Sequence, residues 1–256
     1  MDNIQKKRPS LENLIEGENF GLEILHPGGL NTTNELAQIC NIGKDSFVLD
    51  VASGTGESAC FLVEQLGARV IGIDASEFMV ERATKKAMQR GLNIEFKNGD
   101  AHNLPFPDDT FDAVISECTV CLLDKGKVIR EMLRVVKPGG YGGIHDICWK
   151  EDTPERFKQR LAEIEGERPE TLDGWKALFV SAGFVDVKDV DKSELIPLWV
   201  KEEMRELGIM GGIKIVSKVF KNWGLAGLRD VLESERIFQS KHTGYAIIVG
   251  RKPILD

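Results

Sequence analysis

Apolar and polar positions along the chain fall into two alternating patterns. Short apolar or alternating runs occupy residues 47–52, 70–74, 94–97, 113–116 and 141–147. Runs of that length, rich in Val and Ile and bounded by turn residues, predict strands. Between them the period lengthens. Residues 57–66 open directly after a glycine turn, and 77–89 follow Ser76, an expected N-cap. Residues 125–136 place Val128, Met132 and Val136 on one helical face behind Asp124, a second expected N-cap, and stop before Pro138. Gly139 and Gly140 are expected to turn the chain into the next strand. Strands alternating with helices predict a doubly wound α/β sheet with helices on both faces.

The remaining third reads differently. Residues 154–165 put Phe157, Leu161 and Ile164 on one helical side, and 172–182 form a helix ended by Gly183. Residues 184–190 and 244–251 are strands, which brings the sheet to seven. A helical stretch over 198–232 lies between them, so residues 46–256 are expected to form one domain with a helical insertion at about 195–240. Residues 1–45 are expected to cap the sheet. They hold the turn His26-Pro27-Gly28-Gly29 and a helix near 33–40.

Composition narrows the function. The chain has 256 residues, 33 Lys+Arg against 41 Asp+Glu, and a net charge of −8. That is a globular balance, and it argues against nucleic acid as a partner. No apolar run reaches the roughly eighteen residues of a membrane span, and no apolar segment follows the cationic N-terminus as in a secretory signal. Five cysteines in a chain of this length do not make a disulfide framework, so a reducing cytoplasm is expected.

The most informative segment is Asp50-Val51-Ala52-Ser53-Gly54-Thr55-Gly56-Glu57. A strand ends, two glycines turn the chain, and a helix opens with free N–H groups. Residues 54–59 match the G-x-G-x-x-G/A dinucleotide pattern, and Asp74 ends the next strand, so a nicotinamide nucleotide and S-adenosylmethionine both fit at this point. Three acidic residues favour the second. Asp50 at the strand end suits an ammonium partner, Glu57 at the helix start would repel a pyrophosphate, and Asp100 after the third strand can accept from an adenine amine.

With these residues the chain resembles the class I S-adenosylmethionine-dependent methyltransferases. The resemblance covers about residues 46–150. It includes Asp50 to Gly56, the acidic strand end Gly72-Ile73-Asp74-Ala75-Ser76 with Met79, and Gly99-Asp100-Ala101. It continues through residues 104–112 and Arg134-Val135-Val136-Lys137-Pro138-Gly139-Gly140. The family usually has Gly where Ala52 stands, and because alanine is small a slight effect is expected.

The resemblance implies a Rossmann-like sheet, mostly parallel with its last strand antiparallel. It places Asp50 near the methionyl end of the cofactor and the backbone of Ala52, Ser53, Gly54 and Gly56 against its amino-acid portion. Asp74 would accept from both ribose hydroxyls, Ala75, Ser76 and Met79 would border the adenine, and Gly99, Asp100 and Ala101 would read its edge. Ser116 and Glu117 would face the sulfonium and methyl.

The implied reaction is in-line displacement at the sulfonium methyl by a small-molecule acceptor, with the protein supplying binding and orientation. Glu117, His145 and His102 are candidate bases where the acceptor must lose a proton. His26, Gly28, Thr32 and Thr33 are candidate acceptor contacts, and the insertion, rich in Met, Trp and Phe, is either an acceptor wall or core. Cys118 and Cys121 form a C-x-x-C after the fourth strand. No second pair exists to complete a zinc site, so no metal is expected. The segment 116–122 is similar to arsenite methyltransferases, but no further cysteine follows Cys148, and buried apolar thiols are the simpler expectation. The alternatives are an arsenite methyltransferase-like enzyme, an NAD(P)-dependent oxidoreductase and a non-catalytic S-adenosylmethionine-binding protein.

Overall fold

The computed structural model describes residues 26–254. The polar N-terminus and the first part of the expected cap lie outside the described residues. Alternation of buried residues along each strand shows why the sheet is covered on both sides. In β1 (Phe47–Val51) and β4 (Phe111–Glu117), Val48, Ala113 and Ile115 join one apolar cluster, while Leu49, Val51 and Val114 join another. The first cluster receives Leu36 and Ala37 from α1 (Gly29–Ile39), and Ala59 and Leu62 from α2 (Glu57–Leu66). The second receives Ile129 and Met132 from α4 (Lys125–Val135), and Trp175 and Phe179 from α6 (Leu172–Ala182). Two-faced burial of this kind is the signature of a doubly wound sheet.

The strand order is β3-β2-β1-β4-β5-β8-β7, with β2 (Arg69–Asp74), β3 (Glu95–Asn98), β5 (Val136–Trp149), β7 (Val185–Asp191) and β8 (Thr243–Arg251). Strands β1 to β5 pair in parallel, and β8 runs antiparallel between β5 and β7. The expected sheet of seven, with the last strand reversed, is therefore present. A two-residue strand, β6 (Glu170–Thr171), pairs with β5 besides.

Helix termini follow local chemistry. Ser76 caps α3 (Glu77–Gln89) by accepting from the Met79 N–H at 3.3 Å, and Asp124 caps α4 by accepting from the Lys127 N–H at 3.1 Å. Gly139 and Gly140 do not sit in a turn ahead of the strand. Strand β5 already begins at Val136, and its register against β4 shifts between Val136 and Tyr141. Gly139 has φ +81°, so the glycines form an irregularity inside a long strand.

The C-terminal region holds α5 (Glu155–Ile164) and α7 (Ile196–Phe238), the latter longer than expected and broken by non-helical backbone at Gly208 and Gly224. Arg160 of α5 ties to Asp230 at 3.0 Å and Glu233 at 2.7 Å. Only Ile196, Val219 and Ile237 among the apolar side chains described in α7 are fully buried. Ile209, Met210, Ile213, Val216, Phe220, Leu225 and Leu232 are exposed, so most of this insertion is not core.

Candidate active site

Sheet order reverses between β1 and β4, with β2 and β3 to one side and β5 to the other. Ligands of such sheets bind beyond the carboxyl ends of the strands at this reversal. Asp50 lies one residue before the end of β1 there, 2% exposed, and its Oδ2 has no hydrogen-bond partner. Burial pushes its carboxyl well above the usual range, and the carboxylates of Glu117 and Asp74 push it further. Ser53 Oγ and Ser116 Oγ, also buried, have no partner either. Ser116 pairs with Val51 across the β1–β4 ladder, so the three groups belong to adjoining strand ends. Orphaned polar atoms gathered in this way call for a polar ligand. An ammonium group is one partner that would satisfy the Asp50 carboxylate.

The glycine turn explains itself through its backbone. Ala52, Gly54 and Gly56 all take left-handed φ, at +61°, +51° and +77°. The effect of alanine at position 52 is therefore not slight. An L-residue in this region costs about 1–2 kcal/mol, which is why glycine suits the position. A Cβ on Gly54 would meet nothing within 4 Å, so the space above the turn is open. One on Gly56 would lie 2.7 Å from Ala83 Cβ and 2.8 Å from the Phe96 ring. Gly56 thus serves the close packing of α3 and β3 on the turn.

Asp74 does more than end its strand. Its Oδ2 accepts from the Gly54 N–H at 2.8 Å and its Oδ1 from the Ser76 N–H at 2.9 Å, so it straps the turn to the start of α3. Met79 is buried below, and Asn98 Nδ2 donates to the Ala75 carbonyl at 2.9 Å. Glu57 is held in ion pairs. Lys86 at 2.7 Å and Arg90 at 2.8 Å pair with it, which removes the repulsion by which it argued against a pyrophosphate. Asp100 is exposed in the loop with Gly99 and Ala101 after β3. It accepts from the His102 backbone N–H at 2.8 Å and meets the ring Nδ1 at 2.7 Å. His102 Nε2 in turn accepts from the Asp124 N–H at 3.1 Å. Both its ring nitrogens are engaged, and His102 stands apart from the Glu117 cluster as a structural bridge.

A second constellation centres on Glu117. Glu117 and His145 are neighbours across the β4–β5 ladder, with Glu117 Oε1 2.7 Å from His145 Nε2. The contact is short but not aligned along the ring N–H, so neither atom has a linear hydrogen bond. His26 Nε2 approaches Glu117 Oε2 at 3.3 Å, and the two imidazole rings lie 4.6 Å apart. Ser58 Oγ donates to Glu117 Oε2, and the Tyr245 hydroxyl bonds His145 Nδ1. Burial opposes the charge on Glu117, but the imidazoles of His145 and His26 override it and hold the carboxyl well below its usual range. Burial lowers His145, against the pull of Glu117.

Of the expected acceptor contacts, His26 joins this cluster. Thr33 borders it through Ser58, 3.5 Å away. Gly28 and Thr32 shape the turn instead. Thr32 Oγ1 donates to the Pro27 carbonyl at 3.0 Å, and a Cβ on Gly28 would lie 2.0 Å from that hydroxyl. Cys118 Sγ lies 3.4 Å from the Tyr245 hydroxyl, and Cys121 is buried in the core. Burial pushes both thiols well above the usual range, against thiolate chemistry. Sequence reasoning missed Ser58, Asn98, Tyr245 and Asp146. Asp146 is buried, accepts from the Cys121 N–H at 3.0 Å, and is pushed up to about 6 by burial. Ser58 fills an unspecified position of the 54–59 turn pattern, and Asn98, Tyr245 and Asp146 lie in no recognisable motif.

Residues 48–140 match the methyltransferase domain family. An uncharacterised protein of Haemophilus influenzae is 32% identical over 216 residues, covering 80% of this chain and 86% of that one. Phosphoethanolamine N-methyltransferase 1 of Arabidopsis thaliana is 29% identical over 205 residues, covering 80% of this chain but only 41% of its own length. Among solved structures, the [4+2]-cyclase SpnF superposes with a TM-score of 0.72 at 27% identity, over 88% of this chain and 81% of that one. The dinucleotide reading of the glycine turn gives way to these matches. The chain belongs to the class I S-adenosylmethionine-dependent methyltransferases, and S-adenosylmethionine is its cofactor.

Proposed function

We propose that this enzyme transfers the cofactor's methyl group, by in-line displacement, to a small molecule enclosed beside Glu117. The observation that carries the reading is the set of unpartnered buried atoms at the β1 and β4 ends, Asp50 Oδ2, Ser53 Oγ and Ser116 Oγ. These residues fit the amino-acid end of the cofactor, with Asp50 holding its ammonium. Asp74, already fixed by two backbone N–H groups, has lone pairs left for ribose hydroxyls. Ala75, Ser76 and Met79 form the adenine border, and the Asp100 loop meets its edge. The cofactor supplies an electrophilic methyl. The chain's own residues bind, orient and exclude water.

On this reading Glu117 and His145 face the acceptor side of the methyl, with His26 beside them. The buried, charged side chains of Glu117, His145 and His26 suit a polar acceptor, and the similarity to a phosphoethanolamine methyltransferase supports a small one. The net charge of −8 speaks against nucleic acid. Among the described residues no helix is long and apolar enough to cross a membrane. Five free cysteines suit a reducing compartment, which supports the cytoplasm.

Calorimetric titration with S-adenosylhomocysteine and separately with NADH tests the cofactor site. Micromolar binding of the first alone is expected, and binding of NADH alone would overturn it. Labelled S-adenosylmethionine offered with a panel of amino alcohol phosphates, hydroxy acids and thiols tests the acceptor. Label appearing only in protein or nucleic acid would refute the small-molecule reading.

A further inference from the structure

We propose that His26, Glu117 and His145 hold a divalent first-row metal ion, of the zinc or cobalt kind, and that it captures the acceptor. The site itself stands on the chain's side chains, while its part in methyl transfer rests on the reading above.

The geometry is the first argument. One ligand atom from each of the three residues can be chosen so that all lie within 4.8 Å of one another. Around a zinc ion with bonds of about 2.0–2.1 Å, neighbouring ligand atoms sit about 3.3 Å apart. His26 Nε2 and Glu117 Oε2 already stand at 3.3 Å. His145 Nε2 and Glu117 Oε1, at 2.7 Å, need to part by only about half an ångström to admit an ion between them on that same spacing.

The second argument is what Glu117 and His145 lack. Glu117 Oε1 and His145 Nε2 make no aligned hydrogen bond despite their closeness, and both side chains are more than nine-tenths buried. A buried carboxylate and imidazole this close, yet not bonded along the ring N–H, leave their lone pairs for a shared third partner.

The third argument is the support behind His145 and Glu117. Metal-binding imidazoles are oriented by a partner on their other ring nitrogen, and ligating carboxylates are themselves hydrogen-bonded. The Tyr245 hydroxyl meets His145 Nδ1, and Ser58 Oγ donates to Glu117 Oε2. Two imidazoles and one carboxylate are a donor set for zinc, cobalt or iron rather than magnesium or calcium. Three protein ligands leave positions open. The sequence pointed to no metal because the three ligands are scattered along the chain and match no spacing motif.

An open position beside the methyl selects an acceptor class, thiols and hydroxyls. Such an acceptor binds the ion through its sulfur or oxygen and loses its proton to solvent. The freed lone pair then forms the new bond to the methyl carbon as the carbon–sulfonium bond breaks. The positive charge of the sulfonium is cancelled by the anionic acceptor, leaving a neutral thioether and a methylated product.

The test uses the full chain, stripped with chelator and titrated with Co²⁺ while visible absorption is followed, then with Zn²⁺ in competition. One equivalent of Co²⁺ with a d–d spectrum, displaced by one equivalent of Zn²⁺, is expected. His26→Gln and His145→Gln should each weaken binding at least a hundredfold. His26 precedes the first helix, outside the sheet, so its variant decides the matter if His145→Gln does not fold. Absence of stoichiometric binding, or equal binding by His26→Gln, overturns the site. A sulfur-to-cobalt charge-transfer band overturns the ligand set in favour of Cys118. S-adenosylhomocysteine titrated into the same samples separates the two readings. Retained cofactor binding without cobalt binding removes only the metal, and loss of both in the unaltered chain refutes the cofactor site as well.

Discussion

Substituting Asp50 by asparagine separates what this residue does for the cofactor from what it does to the fold. The side chain keeps its size and loses its charge. In the cofactor-free protein that charge is a burden, because Asp50 is 2% exposed, its Oδ2 is unpartnered, and Glu117 and Asp74 repel it. A carboxyl whose pKa is raised on folding contributes stability below its unfolded pKa and loses it as pH rises through the folded value. Asp50→Asn should therefore raise the apo melting temperature at pH 7, by about 2–4 °C for each kcal/mol of relieved burial.

Cofactor binding should move the other way. A charge-assisted hydrogen bond to the ammonium is worth about 1.5–3 kcal/mol, so affinity for S-adenosylhomocysteine should fall about 10- to 150-fold. Binding to the unaltered chain should also tighten as pH rises through the elevated pKa of Asp50, by up to about tenfold per unit, and the variant should show no such slope. Differential scanning fluorimetry and calorimetry between pH 5 and 8 read all three effects. An affinity within twofold of the unaltered chain, or a lower apo melting temperature, would refute the assignment.

Other substitutions probe the turn. Asp74→Ala should weaken S-adenosylhomocysteine binding by roughly 1–3 kcal/mol. It should also lower the melting temperature, since the Gly54 and Ser76 N–H groups lose their acceptor, and an unchanged dissociation constant would mean the ribose lies elsewhere. Ala52→Gly relieves a left-handed φ of +61° and should stabilise by up to about 1 kcal/mol after the added chain entropy, as read by urea denaturation. Gly56→Ala should destabilise by about 2–4 kcal/mol through the contact with Ala83 and the strained φ, and wild-type stability would show that the packing there yields.

The element pattern was legible because both faces of this sheet are buried and its helices carry clear caps. Helices α2, α3 and α6 begin and end where the glycines, Ser76 and Gly183 place them. Strand β5 reads short in the sequence because Pro138-Gly139-Gly140 has turn chemistry, while pairing with β4 at Val136 and again from Tyr141 keeps both sides of the irregularity in one strand. The proposed cofactor residues are legible by spacing, since one turn between a strand and a helix gathers them locally.

Sequence alone thus determined the doubly wound fold, the glycine turn and the acidic strand ends, all properties of short segments. Tertiary structure decided which of those charges are free. Glu57 is neutralised by Lys86 and Arg90 from another helix, and His102 is spent between Asp100 and Asp124. Asp50 is left buried with an oxygen unpaired. It also decided that His26, from before the first helix, meets Glu117 and His145 from neighbouring strands. No local pattern encodes that meeting, because it depends on strand register and on where the chain enters the sheet.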